Sequence, residues 1–337
     1  MNVTKTEWFF IVNPHAGSGK TMSQWVPAEQ KIYKLGIPYV VAYTDHRKHA
    51  TALAYEAASK GYRRILAVGG DGSLHETFNG IMQWCDETGT DPSEFIMSVA
   101  PIGSGNDWIK SLNLPHDTMK VADLLAKESF GKMDIIRLQC AKRGEKEPDC
   151  CYMANVGGTG FDSHVCEKVN RQKERGHRNK MIYLNALKST VLHLKPISLM
   201  VLADGKEVFN GSCYSIALGN GRYSGGGMLQ VPKASMDDGL LDVTIIPRMP
   251  LLTILKEMPK LFTGKLDESE HVIPVRCREL HIIPLDAASE DIIELDGEIE
   301  GRLPATFTVT GNQIGVLKGI RPLDERASED PEQPSQD

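Results

Sequence analysis

An aspartate set among glycines, in Gly69-Gly70-Asp71-Gly72-Ser73, is the residue of this chain best placed to do chemistry. It lies in the middle one of three glycine-rich turns. The others are Asn13-Pro14-His15-Ala16-Gly17-Ser18-Gly19-Lys20 and Pro101-Ile102-Gly103-Ser104-Gly105-Asn106-Asp107, and an apolar run precedes each. Glycine lets backbone N–H groups approach a polyphosphate closely, and a helix starting at such a turn adds partial positive charge. One such turn says little. Three at the ends of successive parallel strands would open on one crevice, because parallel strands deliver their carboxyl ends to the same edge. The chemistry is therefore binding of a nucleotide phosphate in a site built from several loops. Two common phosphate motifs are excluded. A Walker A loop needs glycine five residues before the Gly19-Lys20 pair, where the chain has Pro14. A dinucleotide fingerprint opening at Gly103-x-Gly105 needs its third glycine where the chain has Trp108.

The elements that must position these turns can be read from periodicity. Strands are expected at 9–12, 39–43, 65–68 and 96–100, alternating with helices at 21–35, 48–59 and 74–82 and a short one through Trp108. Pro27 is a candidate break in the first helix, and Gly61 ends the second. From about residue 133 alternating β runs dominate, at 133–140, 151–156, 197–203, 212–218, 241–246, 279–283, 292–295 and 305–309. Asp204-Gly205 and Asp296-Gly297 are hairpin signals. Helical stretches near 162–174, 180–194 and 250–262 interrupt this region. The fold class expected is an α/β N-terminal domain with a parallel sheet plus a mostly antiparallel β-sandwich C-terminal domain. The corresponding boundaries are 1–130, 131–320 and an acidic, disordered tail over 321–337.

The ordered set of motifs resembles the diacylglycerol kinase catalytic domain family, which also takes in sphingosine and ceramide kinases, and whose fold is shared with NAD kinase. The likeness runs from about residue 8 to 318. Beyond the three turns it includes Asn155–Phe161 followed by Asp162, read as a Gly-x-Gly-Phe-Asp turn, and the segment 217–222 with Gly225-Gly226-Gly227. Asp237-Asp238-Gly239-Leu240-Leu241-Asp242 and Asp296-Gly297-Glu298 match two late motifs. The resemblance implies an ATP-dependent lipid kinase. ATP would lie between the domains, its phosphates held by Asn13, Gly17, Gly19 and the backbone of Gly69, Gly70, Gly72, Ser73, Leu74 and His75. Thr44, Ser104 and Asn106 would be further nucleotide contacts. Asp71 would act through Mg²⁺ and water, and Glu298 would accept the proton of the lipid hydroxyl. An alcohol is a poor nucleophile, so a carboxylate within reach of its proton assists attack on the γ-phosphate. A second, structural Mg²⁺ would sit on Asp238 and the carbonyls of Ser235 and Leu240, oxygen ligands that suit a hard cation rather than zinc.

Composition bounds the partners. The chain has 337 residues, 41% hydrophobic and 24% charged, with a net charge of −6. The tail carries six acids (Asp324, Glu325, Glu329, Asp330, Glu332, Asp337) against Arg326, so the folded body is near neutral and nucleic acid is not an expected partner. Seven cysteines lack metal-ligand spacing and read as reduced, mostly structural thiols in a cytoplasmic protein. Six basic residues (Lys168, Arg171, Lys173, Arg175, Arg178, Lys180) form a surface suited to anionic headgroups, and so to transient association with a membrane that supplies the lipid. A homodimer is compatible with this reading. Diacylglycerol is the acceptor expected. Ser73, Ser104 and His75-Glu76 are also similar to the sphingosine kinase arm, so a sphingoid base is the alternative acceptor, and a non-catalytic nucleotide- or lipid-binding protein is the alternative of another class.

Overall fold

The computed structural model describes residues 6–103, 105–141, 148–174, 186, 189–190, 195–286 and 291–319. Ser104, most of 180–194, Arg175, Arg178 and Lys180 of the basic run, and the acidic tail lie outside the described residues.

The N-terminal half alternates as its periodicity requires: β1 (Trp8–Val12), a turn α1 (Ala16–Gly19), α2 (Thr21–Lys34), β2 (Tyr39–Tyr43), α3 (His49–Ser59), β3 (Arg64–Gly69), α4 (Asp71–Thr88), β4 (Ile96–Pro101), α5 (Trp108–Ser111) and α6 (Thr118–Ala126). The strands pair in parallel in the order β4-β3-β1-β2. β1 is buried along its whole length, as a strand covered on both faces must be, and its Trp-Phe-Phe-Ile-Val sequence is accordingly an unbroken apolar run.

Two helices differ from expectation. Pro27 lies inside α2 without ending it. α4 starts at Asp71 and continues to Thr88, well beyond 74–82 at both ends. Gly70 is its extended N-cap, so the glycine turn is the helix terminus itself. At the far end Cys85 keeps the buried stripe going until Gly89 closes the helix in the left-handed conformation.

The second half is antiparallel: β5 (Phe130–Ala141), β6 (Pro148–Met153), β7 (Val156–Gly160), α7 (Phe161–Glu174), β8 (Ile197–Ala203), β9 (Lys206–Gly219), the small hairpin β10 (Tyr223–Ser224) and β11 (Met228–Leu229), β12 (Leu241–Pro247), α8 (Leu251–Glu257), α9 (Lys260–Thr263), β13 (Ile273–Cys277), β14 (Glu279–Pro284), β15 (Ile292–Leu295) and β16 (Glu298–Leu317). Two long strands change sheets. β9 pairs with β8 through its first half and with β7 and β12 through its second. β16 begins on β15, runs along β14 and β5, and ends parallel to β4. Ile314, Val316 and Leu317 thereby join the core of the first sheet, while the sandwich has its own core around Leu138, Leu199, Ile216, Val243, Ile282 and Phe307.

The segment 155–161, expected as a turn, is mostly strand β7. Its glycines serve close packing: a Cβ on Gly158 would stand 2.3 Å from the Ile216 carbonyl oxygen, and one on Gly157 2.5 Å from Leu295 Cδ2. Sheet neighbours press too near for any side chain there.

A similar approach joins α3 to α4. Ala50, Ala54, Ala57 and Ala58 are the buried face of α3, and a Cβ on Gly80 would lie 2.2 Å from the Thr51 carbonyl oxygen and 2.9 Å from Ala54 Cβ. Gly→Ala inside an open helix stabilises by about 1 kcal/mol. Here the sign reverses, and Gly80→Ala is expected to destabilise the protein by about 1–3 kcal/mol in denaturant unfolding. A stabilised variant would show that the two helices are not in this contact.

Candidate active site

The three glycine turns meet at one edge of the parallel sheet, where backbone bonds carry the pairing just past the strand ends. Asn13 N–H donates to the Val68 carbonyl at 2.9 Å, Ile102 N–H to Gly69 at 2.7 Å, and Thr44 N–H to Val12 at 2.9 Å. The turns then touch one another directly. A Cβ on Gly103 would stand 2.8 Å from Gly70 Cα and one on Gly17 2.8 Å from Ile102 Cγ2, and within the second turn one on Gly69 would stand 2.3 Å from Ser73 Oγ. Asn13 ties the first turn to the second, with its Nδ2 donating to Ser73 Oγ at 3.3 Å and its Oδ1 accepting from His15 N–H at 3.0 Å. Gly19, at φ 81°, faces open space. The N-terminal end of α4 points its partial positive charge into this cradle.

Asp71, the first residue of α4, reaches across to the third turn. Its Oδ1 accepts from the N–H groups of Asp107 at 3.0 Å and Trp108 at 3.4 Å. Its Oδ2 lies 3.0 Å from where a Cβ on Gly105 would be, so a side chain there would crowd the carboxylate. Burial, and then the neighbouring Asp107 carboxylate, push Asp71 up to about 6. Asp107 is itself held by Lys110 Nζ at 2.6 Å and Gly226 N–H at 2.6 Å. Asn106 takes a left-handed φ of 51° and donates to the Gly103 carbonyl at 3.1 Å, while its buried Oδ1 has no partner among the described residues. Glycines without room for side chains, a helix N-terminus, and a buried acceptor left open fit a bound polyphosphate and its hydrated cation.

Not every expected contact faces the cradle. Leu74 is core, and the N–H groups of Ser73 and Leu74 bond the Gly70 carbonyl at 3.0 and 3.1 Å. Thr44 is buried at the end of β2. The His75 side chain turns towards the second half of the chain, where its Nδ1 meets Asp296 Oδ2 at 2.8 Å and its Nε2 meets Glu300 Oε1 at 3.3 Å. Burial opposes charge on the imidazole, but these two carboxylates outweigh it and push His75 up to about 10. It is a cation at neutral pH.

Asp296 is the hub of this contact. Besides His75, its Oδ2 accepts from Ala154 N–H at 2.9 Å and its Oδ1 from Asn155 N–H at 2.8 Å. Asp296 and Gly297 both have positive φ, 54° and 87°, as the tight hairpin between β15 and β16 requires. The turn is thus fixed, and it sets Glu298 opposite the glycine turn of α4, with Oε1 3.5 Å from where a Cβ on Gly72 would stand. Glu298 Oε2 pairs with Arg47, a residue that belongs to none of the motifs. The loop carrying Arg47 is held by Glu76, whose carboxylate accepts from Lys48 N–H at 2.9 Å and Ala50 N–H at 3.2 Å and so caps α3. Burial raises the Glu76 carboxyl above its ordinary value.

The Asp238 turn is differently furnished. Asp238 Oδ1 accepts from Leu240 N–H at 3.1 Å and Oδ2 pairs with Arg276, which also reaches Asp242 at 3.0 Å. The Ser235 hydroxyl donates to Asp237 at 2.9 Å. The chain itself balances this carboxylate, a donor set that does not fit a resident Mg²⁺, and no step below passes through a cation there. Lys168 of the basic run turns to the hydroxyls of Ser189 and Thr190 at 3.2 and 3.1 Å.

The model of the diacylglycerol kinase catalytic domain matches residues 7–138, and that of the YegS C-terminal NAD kinase beta sandwich-like domain matches 155–318. The protein named "Diacylglycerol kinase" of Mycobacterium tuberculosis (strain ATCC 25618 / H37Rv) is 26% identical over 309 residues, covering 91% of this chain and 94% of that one. "Probable lipid kinase YegS-like" of Xanthomonas euvesicatoria pv. vesicatoria (strain 85-10) is 29% identical over 299 residues, 88% of this chain and 90% of that one. A crystal structure described as a diacylglycerol kinase from Bacillus anthracis str. Sterne shares the fold, with a TM-score of 0.66 at 20% identity over 94% of this chain and 98% of that one. The expected fold class, α/β followed by an antiparallel sandwich, is borne out.

The raised His75 gives stability a pH dependence of definite sign. Its contribution is complete below the unfolded value of 6.5 and is lost as pH rises through about 10. In denaturant unfolding, the stability gap between wild type and His75→Gln is therefore expected to narrow over that window. A gap independent of pH would mean that the imidazole is not held as a cation.

Proposed function

We propose that this chain, a lipid kinase whose two halves match the diacylglycerol kinase catalytic domain and the YegS C-terminal domain, transfers the γ-phosphoryl group of ATP to the hydroxyl of diacylglycerol, giving phosphatidate. The observation that carries the proposal is the placement of the Glu298 carboxylate, from the antiparallel half, against the Gly72 turn that opens α4. One carboxylate then faces both a phosphate cradle and the side from which an acceptor must come.

In this reading the cradle of Asn13, Gly17, Gly19, Gly69, Gly70 and Gly72 receives the phosphates, with the N-terminus of α4 turned towards them and the open Asn106 Oδ1 left to accept from water that hydrates them. Among the chain's residues, Asp71 would hold Mg²⁺ through water by the oxygen not committed to Asp107 and Trp108, and the ion supplies neutralisation of phosphate charge. The acceptor hydroxyl gives its proton to Glu298 as its oxygen bonds the γ-phosphorus, and the bond to the β-phosphate oxygen breaks to release ADP. Arg47 pins Oε2 of Glu298 and leaves Oε1 towards the Gly72 side. His75 acts at a distance by fixing Asp296, two residues before Glu298. Catalysis is then positioning and charge compensation, the terms that dominate phosphoryl transfer. Diacylglycerol as acceptor is supported by the names of the matching domain and of the mycobacterial relative. The acceptor would be collected by transient association with the cytoplasmic face of a membrane.

Incubation with labelled ATP and separate micelles of diacylglycerol, sphinganine and ceramide tests the acceptor. Label in phosphatidate is expected, and label in sphinganine alone would overturn the diacylglycerol assignment. Asp71→Asn is expected to abolish turnover in a folded protein, and Glu298→Gln to lower the chemical rate by roughly 10²–10⁴. An effect of Glu298→Gln confined to lipid KM would make that residue a binding group and not the base.

A further inference from the structure

The segment α8–α9 is apolar on two opposite sides. Ile254, Met258 and Leu261 face inward and line a cavity with Ile246, Met249 and Val272. Leu251, Leu252, Leu255 and Phe262 face outward and are 50, 75, 50 and 59% exposed. A helix lying on a core keeps one apolar stripe and turns polar side chains to water. Here the outward side is apolar too, and four large exposed apolar side chains within one short segment are of the kind that marks an interaction surface.

The charges around the patch select its partner. Lys256 lies on α8 beside Leu252 and Leu255, and Arg248 and Lys265 flank the two helices, all three exposed. Of the nearby acids, Glu257 is engaged by Lys260 at 2.8 Å and Asp267 by Lys233 at 2.6 Å, which leaves Glu268 and Glu270 beyond α9 as exposed anions. The exposed charges outside these ion pairs are thus basic on α8 and at its start, at Lys256 and Arg248, and mixed beyond α9. Exposed leucines with basic residues at their margin suit the boundary between headgroups and acyl chains of an anionic bilayer.

The inner side of the same segment adjoins elements that pack on the candidate catalytic turn. Leu261 and Leu266 line both the cavity under α8 and a second one reaching Phe161 and Asp162 at the start of α7. Further along α7, Cys166 Sγ and Asn170 Nδ2 donate to the Gly297 carbonyl at 3.0 and 3.1 Å, beside Glu298. We propose that Leu251, Leu252, Leu255 and Phe262, with Lys256 at their edge, are the surface by which this protein docks on anionic phospholipid bilayers. The proposal rests on the lipid kinase reading, because a lipid acceptor must be met where it resides.

The test is sedimentation of the full chain with vesicles of phosphatidylcholine and phosphatidylglycerol, without ATP or substrate. Leu252→Ser/Leu255→Ser is expected to lower the vesicle-bound to free ratio by roughly tenfold or more. Lys256→Glu should weaken binding to these vesicles and have little effect on phosphatidylcholine alone. Tyr33→Ser, at a 76% exposed side chain on α2, should leave binding unchanged. Equal partition of wild type and the double serine variant would overturn the proposal. So would a fall in oligomer size caused by the serines, which would assign the patch to a second copy of the chain. Vesicle binding is read without turnover, so loss of the docking surface and loss of the kinase reading are distinguishable outcomes.

Discussion

The structure depends most on one buried carboxylate. Asp296 accepts from the N–H groups of Ala154 and Asn155 and from the His75 imidazole, and it does so at the joint between the parallel sheet and the sandwich. Its partners belong to α4 of the first half and to the β6–β7 junction, while Asp296 itself sits in the β15–β16 hairpin. Removing the carboxylate would leave buried donors unpaired and a protonated imidazole with Glu300 alone for compensation, a cost well above that of a surface hydrogen bond. The hairpin turn is fixed by this contact, and with it Glu298.

The glycine turns supply the other half of the constraint. Their mutual approach is backbone to backbone, at Gly70 and Gly103, and backbone to side chain, at Gly17 and Ile102. No larger residue could hold the three strand ends so close. The same crowding concentrates acids. Asp71 is pushed up to about 6 by burial and by Asp107, and burial raises Glu294 well above the ordinary carboxylate range. Lys110, His75 and the exposed Arg47 offset part of this negative charge, one at the third turn and two at the joint.

What the sequence made legible was what local rules control. Apolar runs ending in glycine turns marked the parallel strands and their common edge. Asp296-Gly297 and Asp204-Gly205 announced hairpins because both positions take positive φ. The misreadings came from tertiary packing. The glycines of 157–160 signalled a turn in isolation, yet they form a strand because Leu295, Ile216 and Tyr214 press against them. The start of α4 was placed late because Gly70 and Gly72 lower helix propensity, while the strand before them delivers the chain already aligned for a helix. Pro27 is accommodated inside α2. Arg47 and the His75–Asp296 contact carry no local signal, since their partners lie more than 200 positions away along the chain.

The central claim is that the Asp296 contact positions Glu298 over a cradle that binds nucleotide independently. It is tested most directly by measuring ATP affinity and the single-turnover rate of phosphoryl transfer on the same preparation of Asp296→Asn. The account predicts ATP affinity held within about threefold, since the cradle is intact, and a transfer rate lowered roughly 10²-fold or more by misplacement of the base. An unchanged transfer rate, or a loss confined to ATP affinity, would contradict it.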